Sequence, residues 1–223
     1  MLLDSFIDQF QNMRIGIATT YGRPYYKFST CLKRLNLSFD SILPQDIHAY
    51  RGHLVLTTRR EAPSNSEKPI MYDDSFEQHP AMIYGLILRQ LDLGCDDEEL
   101  LIGVDPGQRL GLSVFYRGRE IESSVYSSID GLVFHIIQVL GGLRASHKIV
   151  KVGNGNMIIA KRIATLLNLK FCSSFDLEFV DEQRTSMKIK NFNQGGKRDR
   201  LSAKYITQRE GYRQSILPLS ITG

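Results

Sequence analysis

Three short apolar segments follow one another closely in the second half of the chain, at 100–105, 110–117 and 120–127. Each has the length and the apolar character of a β-strand. The connections between them are too short for a helical crossover, so consecutive segments must reverse direction. The sequence therefore predicts three antiparallel strands that lie side by side.

Helix and strand patterns then alternate towards the end of the chain. Apolar residues at helical spacing predict helices at 130–143 and 156–169, and strand patterns occupy 148–153 and 175–182. A last helix is predicted at about 198–212. Because such alternation is typical of parallel crossovers, we expect a mixed sheet, with three antiparallel strands followed by parallel ones and helices on both faces.

This α/β domain is expected to span 96–223, and a smaller α/β domain, to which the sequence assigns no role, is expected to span 1–95. In the smaller domain, strand patterns occur at 14–19, 40–44 and 53–58, helix patterns at 22–35 and 76–92, and an exposed loop is predicted at 59–74. The segments IGIATTYG and IGVDPGQR echo one another between the two domains, with Ala18 at the position of Asp105.

Composition excludes several classes of protein. Three widely spaced cysteines without a C-x-x-C pair argue against a zinc site or a disulfide framework, and they favour a reducing, cytoplasmic setting. No apolar stretch is long enough to span a membrane, and the first residues lack the basic region of a signal peptide. The net charge of +4 is too small to identify a partner by itself.

Asp105 lies at the tip of the first of the three apolar strands, directly before Pro106 and Gly107. The proline keeps the backbone of Asp105 extended, and the glycine lets a ligand approach closely. Sites in α/β sheets form where strands end, so this carboxylate is placed to present oxygen ligands to a divalent cation. A lone Asp-Pro-Gly is more typical of a simple turn cap than of a site, so further carboxylates are needed to indicate one.

The last third of the chain supplies the other carboxylates. Asp181 and Glu182 close the final predicted strand, and alternation places one of them on each face of the sheet. Asp199 opens the last predicted helix, where small Ser202 and Ala203 would let the helix lie close to the sheet. Both groups have plainer interpretations, as a solvated strand end and as an acidic residue favoured at a helix start.

Four segments in this order resemble the RuvC-like nucleases of the RNase H-like superfamily, and in particular the YqgF branch. They are IGVDPGQRLGLSVF, KVGNGN, VDEQRTS and KRDRLSAKYI, within residues 100–212. The chain departs from the family by the insertion of Gln183 before Arg184. Where RuvC resolvases have a glutamate after the fourth strand, this chain has Gly153, Asn154 and Gly155. The YqgF branch also lacks that glutamate.

The resemblance implies an RNase H-like fold, with Asp105, Glu182 (or Asp181) and Asp199 as catalytic residues and as ligands of Mg²⁺ or Mn²⁺. It implies two-metal hydrolysis of phosphodiesters in structured or branched DNA or RNA. A homodimer is expected by analogy with enzymes that cleave symmetric junctions. The alternative is a non-catalytic nucleic-acid-binding or scaffold protein on a degenerate RNase H-like fold, which the missing glutamate favours.

Positive charge is concentrated around these acids. Residues 181–213 hold nine Lys and Arg against four acidic residues, which suits contact with a phosphate backbone. The turn from 153 to 156 precedes a helix, so its amides are expected to seat a phosphate. The predicted nucleic-acid-binding residues are Arg184, Lys188, Lys190, Lys197, Arg198, Arg200, Lys204, Gly153 and Asn154.

Other polar clusters are assigned no chemistry. The acidic run at 96–99 lies at the opposite end of the first strand from Asp105 and is interpreted as a solvated junction. His135 falls on an apolar helix and is expected to be a packed residue.

A third possible function is that of an actin-like or sugar-kinase ATPase, because those proteins also open on an apolar strand with Asp-x-Gly. They require two copies of the fold, for which 223 residues are too few.

Overall fold

The computed structural model describes residues 14–91, 99–170, 175–182 and 195–213, with only the backbone of Gly195. The chain divides into two compact units between Gly94 and Cys95. The boundary expected from the sequence lies one residue further along. Each unit combines a sheet with helices, so the predicted α/β class is confirmed.

The N-terminal unit is built on a four-stranded sheet in the order β2-β1-β3-β4, in which every pairing is parallel. Its elements are β1 (Ile15–Ala18), α1 (Gly22–Arg34), β2 (Phe39–Ile42), β3 (Leu54–Thr57), β4 (Ile70–Tyr72) and α2 (Pro80–Gln90). Phe28 of α1 meets Phe76 edge to face at 4.8 Å, within a core that includes Ile15, Ile17 and Leu56.

The strand β4 corrects the prediction that 59–74 is entirely an exposed loop. Residues 70–72 pair in parallel with β3, and Met71 is buried. A three-residue strand is too short to show a pattern of its own among polar neighbours. It starts directly after Pro69, whose position at the beginning of an edge strand leaves no ladder donor missing.

The C-terminal unit is built on a five-stranded sheet in the order β7-β6-β5-β8-β9. The strands β5, β6 and β7 are antiparallel neighbours, whereas β8 and β9 continue the sheet in parallel from β5, as predicted. The elements are β5 (Glu99–Pro106), β6 (Leu110–Tyr116), β7 (Arg119–Tyr126), α3 (Ile129–Gly142), β8 (His147–Gly153), α4 (Met157–Lys170), β9 (Asp176–Val180) and α5 (Gly195–Thr207).

Helices cover both faces of this sheet. The helix α5 packs on β5 and β6 over Gly103 and Gly111, which share one face. The helix α3 lies on the other face, because its His135 bonds to Glu122, a residue of β7 paired with Val114. None of the described helices is both long and apolar enough to cross a bilayer.

The helix α5 approaches the sheet closely because two glycines face it. A Cβ added to Gly103 would overlap the carbonyl oxygen of Ala203, and one added to Gly111 would overlap that of Asp199. Of the two small residues predicted to allow this approach, Ser202 and Ala203, the second is fully buried. The close packing therefore depends on small residues of both partners, the two glycines of the sheet and Ala203 of the helix.

The bounds of α5 differ from the predicted 198–212. The helix begins at Gly195, so Asp199 lies in its second turn rather than at its start. Packing on the sheet outweighs the low helix propensity of the two glycines that open it. At the other end, Lys151 Nζ donates to the carbonyl oxygens of Thr207 and Arg209, at 3.3 and 2.5 Å, and ends the helix.

We predict that Gly103→Ala lowers the free energy of unfolding by about 1–3 kcal/mol, because the added methyl group pushes α5 away from the sheet. Gly196→Ala is the matched control on α5 itself, since its Cβ would meet only Val125 Cγ2 at 3.9 Å. Urea unfolding of the two variants measures the difference. Equal stabilities would contradict the close packing of α5.

Candidate active site

Asp105 lies near the end of β5, as predicted, and Pro106 is the last residue of the strand. It pairs with Gly111 of β6, the residue over which the backbone of Asp199 lies. Its carboxylate is half-buried and accepts a hydrogen bond from the Ser202 hydroxyl of α5. The close approach of α5 therefore encloses Asp105 between the tip of the sheet and the helix.

The pKa of Asp105 is raised to about 7. Burial is the main cause, because it penalises the charged carboxylate. The negative charges of Glu182 and Asp199 raise the pKa further, whereas the Ser202 hydrogen bond and the positive charge of Arg198 lower it. Two of the carboxylates predicted to gather, those of Glu182 and Asp199, thus lie close enough to Asp105 to repel its charged form.

Glu182 follows β9 and reaches sideways over the end of β8. Its carboxylate oxygen Oε1 accepts the backbone N–H of Gly155 at 3.1 Å, and its Oε2 would lie 2.5 Å from a Cβ at that residue. A Cβ at Gly153 would overlap Oε1. This corrects the expectation that the amides of the turn lie free for a phosphate, because a carboxylate of the chain itself engages one of them.

Asn154 holds the two acidic residues after β9 in different directions. Its Nδ2 donates to Asp181 Oδ1 at 3.3 Å, and its Oδ1 accepts the backbone N–H of Glu182 at 3.0 Å. Asp181 is exposed and is not among the groups that raise the pKa of Asp105. Of the two alternatives left open by the sequence, Glu182 is therefore the residue that faces Asp105.

Asp199 is brought to the site by α5 rather than by a strand. It is half-buried in the second turn of the helix, one turn before Ser202. Three carboxylates consequently reach one place from three elements: the end of β5, the segment after β9, and α5. Such an arrangement concentrates negative charge where Asp105 is partly withdrawn from water.

The predicted cationic residues divide into exposed and engaged groups. Lys197 and Arg198 occupy the two positions directly before Asp199, and both are exposed. Arg200 Nε donates to the carbonyl oxygen of Gly196, and Lys204 forms a 2.7 Å ion pair with Glu120. Lys204 is thus held by the sheet and is not a free cation. Three further predicted residues lie outside the described part of the chain: Arg184, Lys188 and Lys190.

A second polar group lies on the opposite face of the sheet. His135 is buried, as predicted, and its Nε2 lies 2.6 Å from Glu122 Oε2. The imidazole also stacks on Tyr126 at 5.6 Å. The side chains of Glu122 and His135 offer atoms that can bind a metal ion, but they do not belong to the carboxylate group around Asp105.

Of the acidic run at 96–99, only Glu99 is described, as the first residue of β5.

Sequence reasoning missed the residues that hold the carboxylates in place. From the sequence, Ser202 is predicted as a small residue and the turn Gly153–Gly155 as a phosphate site without the RuvC glutamate, and neither is assigned a contact with a carboxylate. The signal available was the spacing of two glycines around one asparagine, opposite an acidic pair on the neighbouring strand.

Comparison with known proteins adds no assignment. The sequence matches no family model, and no curated protein matches it at a significant level.

We predict that acidification stabilises the metal-free protein relative to its Asp105→Asn variant. The folded pKa of Asp105, about 7, exceeds its ordinary value of 3.8, so the folded state binds the proton more tightly. This contribution is complete below the ordinary pKa and is lost as the pH rises through 7. Between pH 8 and pH 5 the wild type should gain about 1–3 kcal/mol over the variant.

Chemical unfolding of both proteins in the presence of a chelator, at several pH values, measures this gain. Asp130→Asn is the control, because Asp130 is exposed at the start of α3. Its stability curve should run parallel to that of the wild type. A parallel curve for Asp105→Asn would mean that Asp105 is an ordinary solvated carboxylate.

Proposed function

We propose that this protein is a metal-dependent nuclease that hydrolyses phosphodiester bonds in structured or branched nucleic acid. The observation that carries the proposal is the convergence of Glu182 and Asp199 on the half-buried carboxylate of Asp105, whose pKa is raised to about 7 mainly by burial and further by these two negative charges. A cation bound between three carboxylates stabilises their charged forms. A phosphate backbone brought beside such a cation is the substrate that the exposed basic residues suit.

The donor set fits Mg²⁺ or Mn²⁺, the cofactors implied by the resemblance. All three residues offer carboxylate oxygens, which are the ligands that these hard cations prefer. A bound cation would also offset the repulsion that the metal-free site contains. When bound, such ions activate water and stabilise the leaving oxygen of a phosphodiester.

The residues of the chain prepare this site in distinct ways. Ser202 orients the carboxylate of Asp105 by donating a hydrogen bond to it. Arg198 lies close enough to lower the pKa of Asp105, and its side chain is exposed. The positively charged guanidinium of Arg198 can therefore hold a phosphate of the nucleic-acid backbone next to the carboxylates. Lys197 adds a second exposed positive charge at the same end of α5.

The strand arrangement supports the resemblance to RNase H-like nucleases. Three antiparallel strands are followed by two parallel strands that continue from the first one. The sheet order β7-β6-β5-β8-β9 places β5 in the middle. Asp105 therefore lies in the middle of the side of the sheet at which β5 ends. This is the position at which the side chains of neighbouring elements can converge.

A specific observation favours the alternative, a nucleic-acid-binding or scaffold protein without catalysis. The end of β8 carries Gly153, Asn154 and Gly155 and therefore contributes no carboxylate of its own. The exposed cations of α5 would bind nucleic acid in either case. The two functions differ in one measurable property, which is hydrolysis.

We predict that the wild type cleaves a labelled four-way DNA junction or a structured RNA in the presence of Mg²⁺ or Mn²⁺. Asp105→Asn should reduce the cleavage rate by about 10²-fold or more, because it removes a metal ligand. Gel assays of both substrates, with and without chelator, measure the rates. Asp130→Asn, far along the chain from the three carboxylates, should retain wild-type activity.

Binding of these substrates without cleavage by the wild type would support the scaffold function and contradict the nuclease. Cleavage that is equal in the wild type and in Asp105→Asn would contradict the assignment of the site, even if hydrolysis were real.

We predict that Arg198→Ala weakens nucleic-acid binding and reduces the slope of the logarithm of affinity against that of salt concentration by about 1, as loss of one phosphate contact requires. Fluorescence anisotropy in the Asp105→Asn background measures binding without turnover. Arg162→Ala, which removes another exposed arginine, on α4, is the control. Equal salt slopes for both variants would remove Arg198 from the interface.

A further inference from the structure

Four hydrogen bonds of the described residues join the turn after β8 to the last residue of β9 and to the two residues that follow it. The backbone N–H of Asn154 donates to the carbonyl oxygen of Val180 at 3.0 Å, and the side chain of Asn154 bonds to Asp181 and to the backbone of Glu182. The backbone N–H of Gly155 donates to the Glu182 carboxylate. One asparagine thus contacts three consecutive residues of the neighbouring segment.

The two glycines of this turn are required for space rather than for backbone conformation. Gly118 is the one glycine in the described part of the chain with a positive φ, so Gly153 and Gly155 adopt angles open to other residues. Their missing side chains are replaced by the Glu182 carboxylate. A Cβ at Gly155 would lie 2.5 Å from Oε2 and 3.0 Å from Cδ of Glu182, and a Cβ at Gly153 would overlap Oε1.

We propose that the turn Gly153–Gly155 is a seat for the Glu182 carboxylate and that Asn154 is a positioning residue for the site. The proposal deepens the nuclease function and rests on it. The end of β8 has no carboxylate of its own, and Glu182 fills the space that a side chain at position 153 would occupy. Asn154 fixes the backbone from which Glu182 projects, and the amide of Gly155 fixes the carboxylate itself.

Asn154 also decides which acidic residue enters the site. Its amide nitrogen holds Asp181 in the exposed direction, while its amide oxygen holds the backbone of Glu182. Loss of both bonds frees the segment after β9 to rotate, and rotation exchanges the directions of two adjacent side chains. The metal affinity of the site therefore depends on a residue that binds no metal.

A purely structural role for Asn154, as a link between β8 and β9, gives a different expectation. Such a link would affect the stability of the unit but not the place of the carboxylate. Asn156 provides the matched control, because its Oδ1 accepts the backbone N–H of Ile159 at 3.2 Å and caps α4. Asn156→Ala thus removes a stabilising asparagine from the same turn without contact to Glu182.

The first test uses the metal-free full-length protein. Hydrogen exchange of the Gly155 amide, followed by NMR, reports whether the Glu182 carboxylate stays on its seat. We expect faster exchange in Asn154→Ala and in Glu182→Ala, which removes the acceptor of the Gly155 N–H, than in the wild type, and an unchanged rate in Asn156→Ala. An unchanged rate in Asn154→Ala would overturn the proposal, whatever the protein does with metal.

The second test measures Mn²⁺ binding by calorimetry. We expect Asn154→Ala and Gly155→Ala to weaken the affinity by about 10-fold or more, as loss of a residue that orients a metal ligand does. Asn156→Ala should bind Mn²⁺ like the wild type. Equal losses in Asn154→Ala and Asn156→Ala would mean that both act through stability and would overturn the proposal.

A reciprocal exchange distinguishes position from mere loss. Asn154→Asp places a carboxylate against Asp181 and should weaken Mn²⁺ binding, whereas Asn154→Asp combined with Asp181→Asn restores the hydrogen bond with its direction reversed. Recovery of affinity in the double variant supports the proposal, and its absence contradicts it. If the wild type binds no Mn²⁺, the nuclease function fails, and the exchange rate of the Gly155 amide still decides whether the seat exists.

Discussion

The close packing of α5 on the sheet is the constraint on which the carboxylate site depends. Gly103 and Gly111 leave no side chain between the strands and the helix backbone, so α5 lies directly over the end of β5. This contact brings Asp199 and Ser202 to Asp105 and withdraws Asp105 from water. The repulsion among the acids is therefore built into the packing, because α5 cannot retreat without exposing the buried residues Ala203 and Ile206.

Local patterns predicted most of the C-terminal sheet but not the start of α5. Short apolar runs with short connections fix β5, β6 and β7 almost uniquely, and Asp105 follows from its place at the end of one of them. The start of α5 depends instead on packing against Gly103 and Gly111, which lie some 90 residues earlier in the chain. The local sequence shows only Gly195 and Gly196, whose low helix propensity argues against a helix start at this position.

The choice between Asp181 and Glu182 could not be made from the sequence for a similar reason. Strand alternation shows that adjacent side chains point in opposite directions, but it does not show which direction is which. In the structure the choice is made on β8, by Asn154 and by the space over Gly153. The strand β4 was missed because its three residues form a strand only by pairing with β3. In each case the deciding contact joins residues that are distant in sequence.

The N-terminal unit shows what a carboxylate at a strand end looks like when the chain satisfies it. Burial raises the pKa of Glu61, but hydrogen bonds from Thr19, Thr20 and Thr58 outweigh this and leave it below its ordinary value. Glu61 follows β3 and lies beside the end of β1, where Ala18 holds the position that Asp105 holds in the echoed segment. Hydroxyl and amide donors stabilise its charge, so it requires no cation. Asp105 meets two carboxylates instead, and burial together with their charges outweighs the Ser202 hydroxyl and Arg198 and raises its pKa to about 7. The same kind of strand end is thus electrostatically complete in one unit and incomplete in the other, and chemistry is expected where it is incomplete.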